Sequence, residues 1–229
     1  MVEIVAEISG NHGGSLNKAR HLIIAAADCG CDYAKFQFYR PEDMPDRHEG
    51  DNDAIYRKLM VPDEWLPELF DQAYDCCIGL FASVFSVRAV ETLLKFDVPY
   101  FKIAAPGSTP LDAKVRDAIY EAIPKHIPLI VSNVWDGTFL KSFTNTLAMV
   151  CPPGHPPNNS EIWESLRRFD PDWMYGFSDH TAGIAVPLGF IRAGVRMIEK
   201  HFKINDDCID AAFSADPPTM ELLCKLAHR

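Results

Sequence analysis

The chain has 229 residues, 48% hydrophobic and 24% charged, enough to build a sizeable core without disulfide staples. A formal net charge of −10 with no long basic run argues against nucleic acid as a partner, and no apolar run is long enough to span a bilayer. Seven cysteines, none in a CxxC spacing, read as reduced thiols of a cytoplasmic protein, and the start Met1-Val2-Glu3-Ile4-Val5 lacks the basic and apolar regions of a signal peptide.

The first apolar run, 4–8, predicts a strand. Gly13-Gly14 form a turn, and Ser15 caps a helix expected over 16–28. A second strand over 33–38 leads into a polar stretch, 40–57, expected to be a long loop that serves a site, before a helix over 63–76. Strand three is expected over 80–84 with a helix over 87–96, strand four over 100–105 with a helix over 111–122, and strand five over 128–134. Residues 136–143 are too few for a full helix. Strands six, seven and eight are expected over 146–151, 174–178 and 197–202, with helices over 160–169, 184–193 and 219–227. The segment Pro152-Pro153-Gly154-His155-Pro156-Pro157 reads as a loop after strand six. Strict strand–helix alternation over eight units predicts an α/β fold, a parallel sheet closed into a (β/α)8 TIM barrel as a single domain over 1–229. An open doubly wound sheet is the weaker alternative, because Ser9-Gly10-Asn11-His12-Gly13-Gly14 does not fit GxGxxG.

Active sites of such barrels form at the C-terminal ends of the strands. Strand one carries Glu7, with Asn11 and His12 in the following loop; strand two carries Lys35 and Gln37; strand three ends at Ser83. Strand four carries Lys102, strand five Ser132, strand seven ends in Ser178-Asp179-His180, and strand eight carries Glu199-Lys200-His201. Lys35, Lys102, Glu199 and His201 interrupt apolar strands, where a charge is costly unless paired or turned to a polar cavity. One such residue reads as a structural ion pair; several from different strands at one rim read as a functional cluster. Two lysines and several hydroxyls suit a small anion bearing phosphate and carboxylate. His180 and His201, on neighbouring strands, suit either a shared divalent metal or a plain hydrogen-bonded pair.

Six segments in one order resemble the sialic acid synthase family. Ala6-Glu7-Ile8 through Asn11-His12-Gly13-Gly14-Ser15 is similar to its AEIGxNHxGS opening, and Lys35-Phe36-Gln37 to its KFQ strand. Phe101-Lys102-Ile103-Ala104 is similar to FKIAS, Gly176-Phe177-Ser178-Asp179-His180-Thr181 to GYSDHT, and Ile198-Glu199-Lys200-His201-Phe202 to IEKHF. Asp210 and Ser214 keep the spacing of a PDHxxSLEP segment. The resemblance runs from residue 3 to about residue 225. It implies that Lys35, Lys102, Ser83, Ser132 and Ser178 hold phosphoenolpyruvate, and that His180 and His201 are ligands of a divalent metal, manganese first. Glu7 is implied near the reacting atoms and Asp210 near the metal and acceptor. Gln37, Asn11 and His12 are implied at the same mouth, with Glu199 and Ser214 as further substrate contacts. The implied reaction joins phosphoenolpyruvate to an aldehyde acceptor, a sugar or aminosugar, in a cytoplasmic homodimer.

This chain also departs from the family pattern. Ala105 stands where the family has a serine, Ser132-Asn133-Val134 replaces a serine-threonine-glycine step, Trp163 aligns near a phosphate-binding asparagine, and Ala211 replaces a histidine. The family's C-terminal antifreeze-like domain has no counterpart in this sequence. An open mouth is therefore expected, or one covered by the 40–57 or 152–159 stretch, with an acceptor smaller than or differently decorated from N-acetylmannosamine. An aldolase- or lyase-type barrel acting on another oxoacid, and a catalytically silent barrel subunit, are the alternatives.

Overall fold

Eight parallel strands close on themselves: β1 (Glu3–Glu7), β2 (Tyr33–Phe38), β3 (Gly79–Val84), β4 (Phe101–Ile103), β5 (Leu129–Ser132), β6 (Thr146–Val150), β7 (Met174–Asp179) and β8 (Met197–His201), with β8 bonded back to β1. The structure is a computed structural model that describes residues 1–104, 111–132 and 145–229. The described helices are α1 (Leu16–Asp28), α2 (Asn52–Leu59), α3 (Leu66–Asp75), α4 (Val87–Leu93), α5 (Ala113–Ala122), α6 (Asn159–Arg168), α7 (Ala185–Arg192) and α8 (Pro217–Ala227). Ala105, Asn133 and Val134, and the expected short segment 136–143, lie outside the described residues.

Strand alternation sorts the side chains into two populations. Ile4, Ala6, Phe36, Phe38, Leu80, Ala82, Phe101, Leu129, Phe177 and Ile198 point outward and pack with Ala19, Leu22, Leu69, Val90, Phe190 and Leu223 of the surrounding helices. Val5, Phe81, Ile130, Met149 and Met197 form a separate inner cluster that fills the middle of the barrel. The residues one alternation further along these strands are Glu7, Ser83, Ser132 and Glu199, so the interior turns from apolar to polar toward the C-terminal mouth.

At the opposite, N-terminal end, one carboxylate gathers three phenols. Glu3 accepts from Tyr33 at 3.1 Å, Tyr100 at 3.4 Å and Tyr175 at 2.8 Å. Burial, with Glu3 adding to it, pushes all three phenols above their ordinary range, so they stay protonated donors. This network closes the end of the barrel opposite Lys35, Lys102, His180 and His201.

The structure corrects the expectation of an unbroken loop over 40–57. A 3-10 turn, Pro41–Asp43, and helix α2 occupy half of it. Tyr56 donates to Asp46 at 2.8 Å and packs its ring against Tyr39, which ties α2 to the end of β2. The polar composition that suggested a loop is that of a helix with no fully buried residue, for which hydrophobic periodicity gives little signal. The expected helix over 63–76 likewise opens as a 3-10 turn, Asp63–Trp65, before α3.

A Cβ at Gly79 would lie 2.5 Å from the ring of Tyr33, which Glu3, Phe81 and Tyr100 hold in place. Gly79→Ala is expected to destabilise the barrel by about 1–3 kcal/mol through overpacking. Chemical denaturation measures this; an unchanged midpoint would show that the tyrosine floor repacks freely.

Candidate active site

Four charges from four strands meet inside the mouth. Lys35 of β2 forms an ion pair with Glu7 of β1, lies 3.6 Å from Glu199 Oε2 of β8, and donates to Ser83 Oγ of β3 at 2.9 Å. Lys102 of β4 donates to Glu199 Oε1 at 2.6 Å, and Ser178 of β7 donates to the same oxygen at 2.9 Å. All six side chains are buried, with Glu7 only 1% and Lys35 1% exposed. Burial raises the Glu199 carboxyl, but Lys102 and Lys35 together outweigh it and hold the group well below the ordinary carboxylate range. Burial also opposes the charge on Lys35, and Glu199 and Glu7 reverse that effect, so its pKa is raised. Both therefore stay ionised in a dry interior. Ser132 Oγ and Glu199 Oε2 are buried without a hydrogen-bond partner among the described residues.

The two histidines sit just above this set. Their ring centroids are 5.0 Å apart with planes at 66°. His201 Nδ1 is 3.0 Å from Asp210 Oδ2, which leaves its other nitrogen for a ligand. Burial, then His201 and His155, lower the His180 pKa to about 2, so its imidazole is neutral, the form that binds metals. This donor chemistry fits a divalent ion. Among the described residues no group of three or more His, Cys, Asp or Glu could hold one, so an ion at the pair would complete its shell from water or substrate.

The structure thus brings together Glu7, Lys35, Ser83, Lys102, Ser178, Glu199, His180, His201 and Asp210, with Ser132 on the inner face of β5 beside the β4 that carries Lys102. Gln37 reaches Ser9 Oγ at 3.3 Å on the rim. Three expected mouth residues belong instead to the framework. Asn11 uses its amide fully, donating to Phe202 O at 2.9 Å and Ser214 Oγ at 3.0 Å and accepting from Asp210 N at 3.1 Å. Ser214 donates to Asp210 O at 2.7 Å. His12 is fully buried against Phe36 and Trp65, and its Nδ1 accepts from Gly14 N at 3.1 Å. Asn11, with its bonds made to the chain, has none left for a substrate; His12 keeps an Nε2 without a partner among the described residues, but no part of its ring is exposed to the mouth. Asn11 and Ser214 act by fixing the segment that bears Asp210. Trp163 is also corrected: it falls inside α6 with 64% of its surface exposed, on the outer ring of helices and not at a strand end.

Sequence reasoning missed several residues. Ser9 adopts a left-handed φ of 48° and donates its backbone N–H to Glu7 Oε1 at 2.7 Å, a strained turn that fixes the carboxylate. Cys151, just after β6, places its thiol 3.9 Å from His180 Nδ1, and burial pushes that thiol up to about 11. Phe213 packs against both histidines, at 5.7 and 4.9 Å. Lys200 is fully buried on the outward face of β8, where it pairs with Asp179 at 2.6 Å and donates to the carbonyls of Thr181 and Phe213. One ammonium thereby ties the loop after His180 to the loop after His201. A charge at the wrong strand parity for the mouth was the available signal for that role.

The fold and the ionised mouth are those of a (β/α)8-barrel enzyme. The chain belongs to the NeuB family, whose profile matches residues 22–132 and 160–229, a family of phosphoenolpyruvate-dependent condensing synthases. It is 31% identical to a pseudaminic acid synthase of Helicobacter pylori, a match that covers 93% of this chain and 70% of that protein. It is 26% identical to an N,N'-diacetyllegionaminic acid synthase of Campylobacter jejuni, covering 96% and 74%. The crystal structure of an N-acetylneuraminic acid synthetase from Leptospira borgpetersenii superposes with a TM-score of 0.82 at 24% identity, covering 100% of this chain and 83% of that one, which supports the barrel.

Burial lowers the His12 pKa to about 4. The unfolded chain protonates this imidazole near pH 6.5 and the folded one does not, so between about pH 6.5 and 4 unfolding takes up a proton. His12 should therefore contribute about 1.4 kcal/mol per pH unit of lost stability toward acid across that window, on top of the contribution of the likewise depressed His180, and His12→Leu should lessen the slope by that amount. Denaturation at stepped pH reads this; identical slopes for the two proteins would remove His12 as the cause.

Proposed function

We propose that this chain condenses phosphoenolpyruvate with a polyhydroxylated aldehyde, an aldose or aminosugar, giving a 2-keto-3-deoxy acid and inorganic phosphate. The observation that carries this reading is the buried pair Lys35 and Lys102 with the hydroxyls of Ser83, Ser132 and Ser178, where Ser132 Oγ lacks a partner among the described residues. A buried donor beside two ammonium groups is satisfied by an oxyanion. The names of the relatives, synthases of pseudaminic acid and N,N'-diacetyllegionaminic acid, support a sugar acid as the product.

In this reading Lys35 and Lys102 bind the carboxylate and phosphate, and Ser83 orients Lys35. The methylene carbon of phosphoenolpyruvate bonds to the aldehyde carbon, the aldehyde oxygen gains a proton, water adds at the former enol carbon, and phosphate departs. Glu7, fixed by Lys35 and the Ser9 N–H, is the carboxylate placed to move a proton or steady developing positive charge. Asp210 sets the orientation of His201. A divalent ion held by His180 and His201 would supply Lewis-acid polarisation of the aldehyde oxygen. The same reading carries manganese as the ion, a homodimer as the assembly and the cytoplasm as the compartment. Among the described residues no helix is long and apolar enough to cross a membrane.

Incubation with phosphoenolpyruvate, manganese and a panel of aldoses and N-acyl aminosugars should release phosphate and yield a product heavier than the acceptor by the mass of pyruvic acid, read by mass spectrometry. Lys102→Met should lower kcat/KM by roughly 10²-fold or more. No phosphate release with any acceptor would overturn the reading. Elemental analysis should show metal in the parent and none in the His180→Ala/His201→Ala double variant; equal content in both refutes the ion site.

A further inference from the structure

Two segments flank the mouth beyond the strand ends. In the first, residues 40–62, the three arginines are taken up by neighbouring carboxylates: Arg40 by Asp63, Arg47 by Glu42, and Arg57 by Asp53 and Glu42. The second, residues 151–158, joins β6 to α6 and is built differently. It holds four prolines, Pro152, Pro153, Pro156 and Pro157, each with a fixed φ. Gly154 sits at φ +92°, where a Cβ would come within 3.1 Å of Pro157 Cα and 3.2 Å of Pro156 O. Asn158 caps α6 and closes the segment through a reciprocal bond with Glu161. Beyond Cys151 at its start, so restricted a backbone presents the imidazole of His155 toward the histidine pair.

That side chain lies over the histidine pair. The His155 ring is 4.1 Å from the His180 ring at 31°, and 5.8 Å from Phe213. The residue is exposed at the rim. It does not complete an ion site, since among the described residues no three donors converge on one. An imidazole offers both a donor and an acceptor, and this one faces the space directly outside the pair.

We propose that His155 is an acceptor-binding residue, hydrogen-bonding a hydroxyl of the sugar aldehyde as it sits against His180 and His201, so that the 151–158 segment sets which acceptor is used. The inference takes its substrate class from the condensation reading above. The ring, tilted against His180, provides a flat wall for one face of a sugar, and the imidazole nitrogens provide the directional contact. A site built to bond a hydroxyl discriminates strongly against analogues that lack it.

The test uses His155→Ala and His155→Gln in the full chain, with N-acetylmannosamine, D-mannose and the other aldoses and N-acyl aminosugars of the panel above as acceptors. Alanine should raise the acceptor KM by about 10-fold or more and leave the phosphoenolpyruvate KM within about twofold, while glutamine, which keeps a donor and an acceptor, recovers part of the loss. The melting temperature should not move, since the residue is exposed. Saturation-transfer NMR of N-acetylmannosamine gives a second readout, a signal on the parent that His155→Ala abolishes. Condensation by the parent with an unchanged acceptor KM in His155→Ala overturns the role of His155 and leaves the reading standing. Absence of phosphate release together with a sugar signal lost in His155→Ala overturns the reading and supports the sugar contact. No condensation and no sugar signal on the parent overturns both.

Discussion

The arrangement at the mouth depends on one constraint: ions buried in a barrel must neutralise each other before they can do anything else. Lys35, Lys102, Glu7 and Glu199 come from four strands, two positive and two negative, and each lysine contacts at least one carboxylate. An unpaired charge at this depth would cost several kcal/mol. The strands are thereby locked in register at the polar end, as the Glu3–tyrosine network locks them at the other. The inner layer of Val5, Phe81, Ile130, Met149 and Met197 separates the two networks and keeps the ion set dry from below.

Around that set the chain spends its other buried polar groups on holding loops. Asn11 grips the segment that bears Asp210, and Asp210 in turn orients His201. Lys200 binds the carbonyl of Thr181 next to His180 and that of Phe213 between Asp210 and Ser214. Burial lowers the Lys200 pKa and raises that of Asp179, each against the pull of the other, so this pair is an expensive tie. Its location, between the two histidine loops and on the face away from the mouth, explains why a charged tie stands where an apolar contact would be cheaper. Only directional bonds to backbone carbonyls fix two loops at once.

The barrel was legible because its strands are short apolar runs and its charges fall on every second residue of them. Val5 and Glu7, Phe81 and Ser83, and Met197 and Glu199 share an inward face, and period two assigns it directly. Asn11, His12 and Ser214 were misplaced for a physical reason: they lie in loops, where no period says which way a side chain turns. A short polar residue there bonds to the chain as readily as to a substrate. Helix α2 was hidden because it buries none of its residues fully. His155 was in view as part of a proline-rich loop, but only the fold brings residue 155 over residue 180.

The distances within the ion set are unequal, and the inequality has a direction. Glu199 receives close bonds from Lys102 at 2.6 Å and Ser178 at 2.9 Å through one oxygen, while its other oxygen faces Lys35 at 3.6 Å without a hydrogen bond. Lys35 is held elsewhere, by Glu7 and Ser83. The loosest contact in the cluster is therefore between Lys35 and Glu199. An anion entering the mouth gives up least by lodging there, because it competes with one long ion pair and breaks no short hydrogen bond. At about 4 Å, with an effective dielectric near 20, a single such contact carries roughly 4 kcal/mol of Coulomb energy before desolvation. Glu199 repels such an anion at nearly the same distance, so the pull of Lys35 is felt net only on the side of its ammonium turned away from the carboxylates.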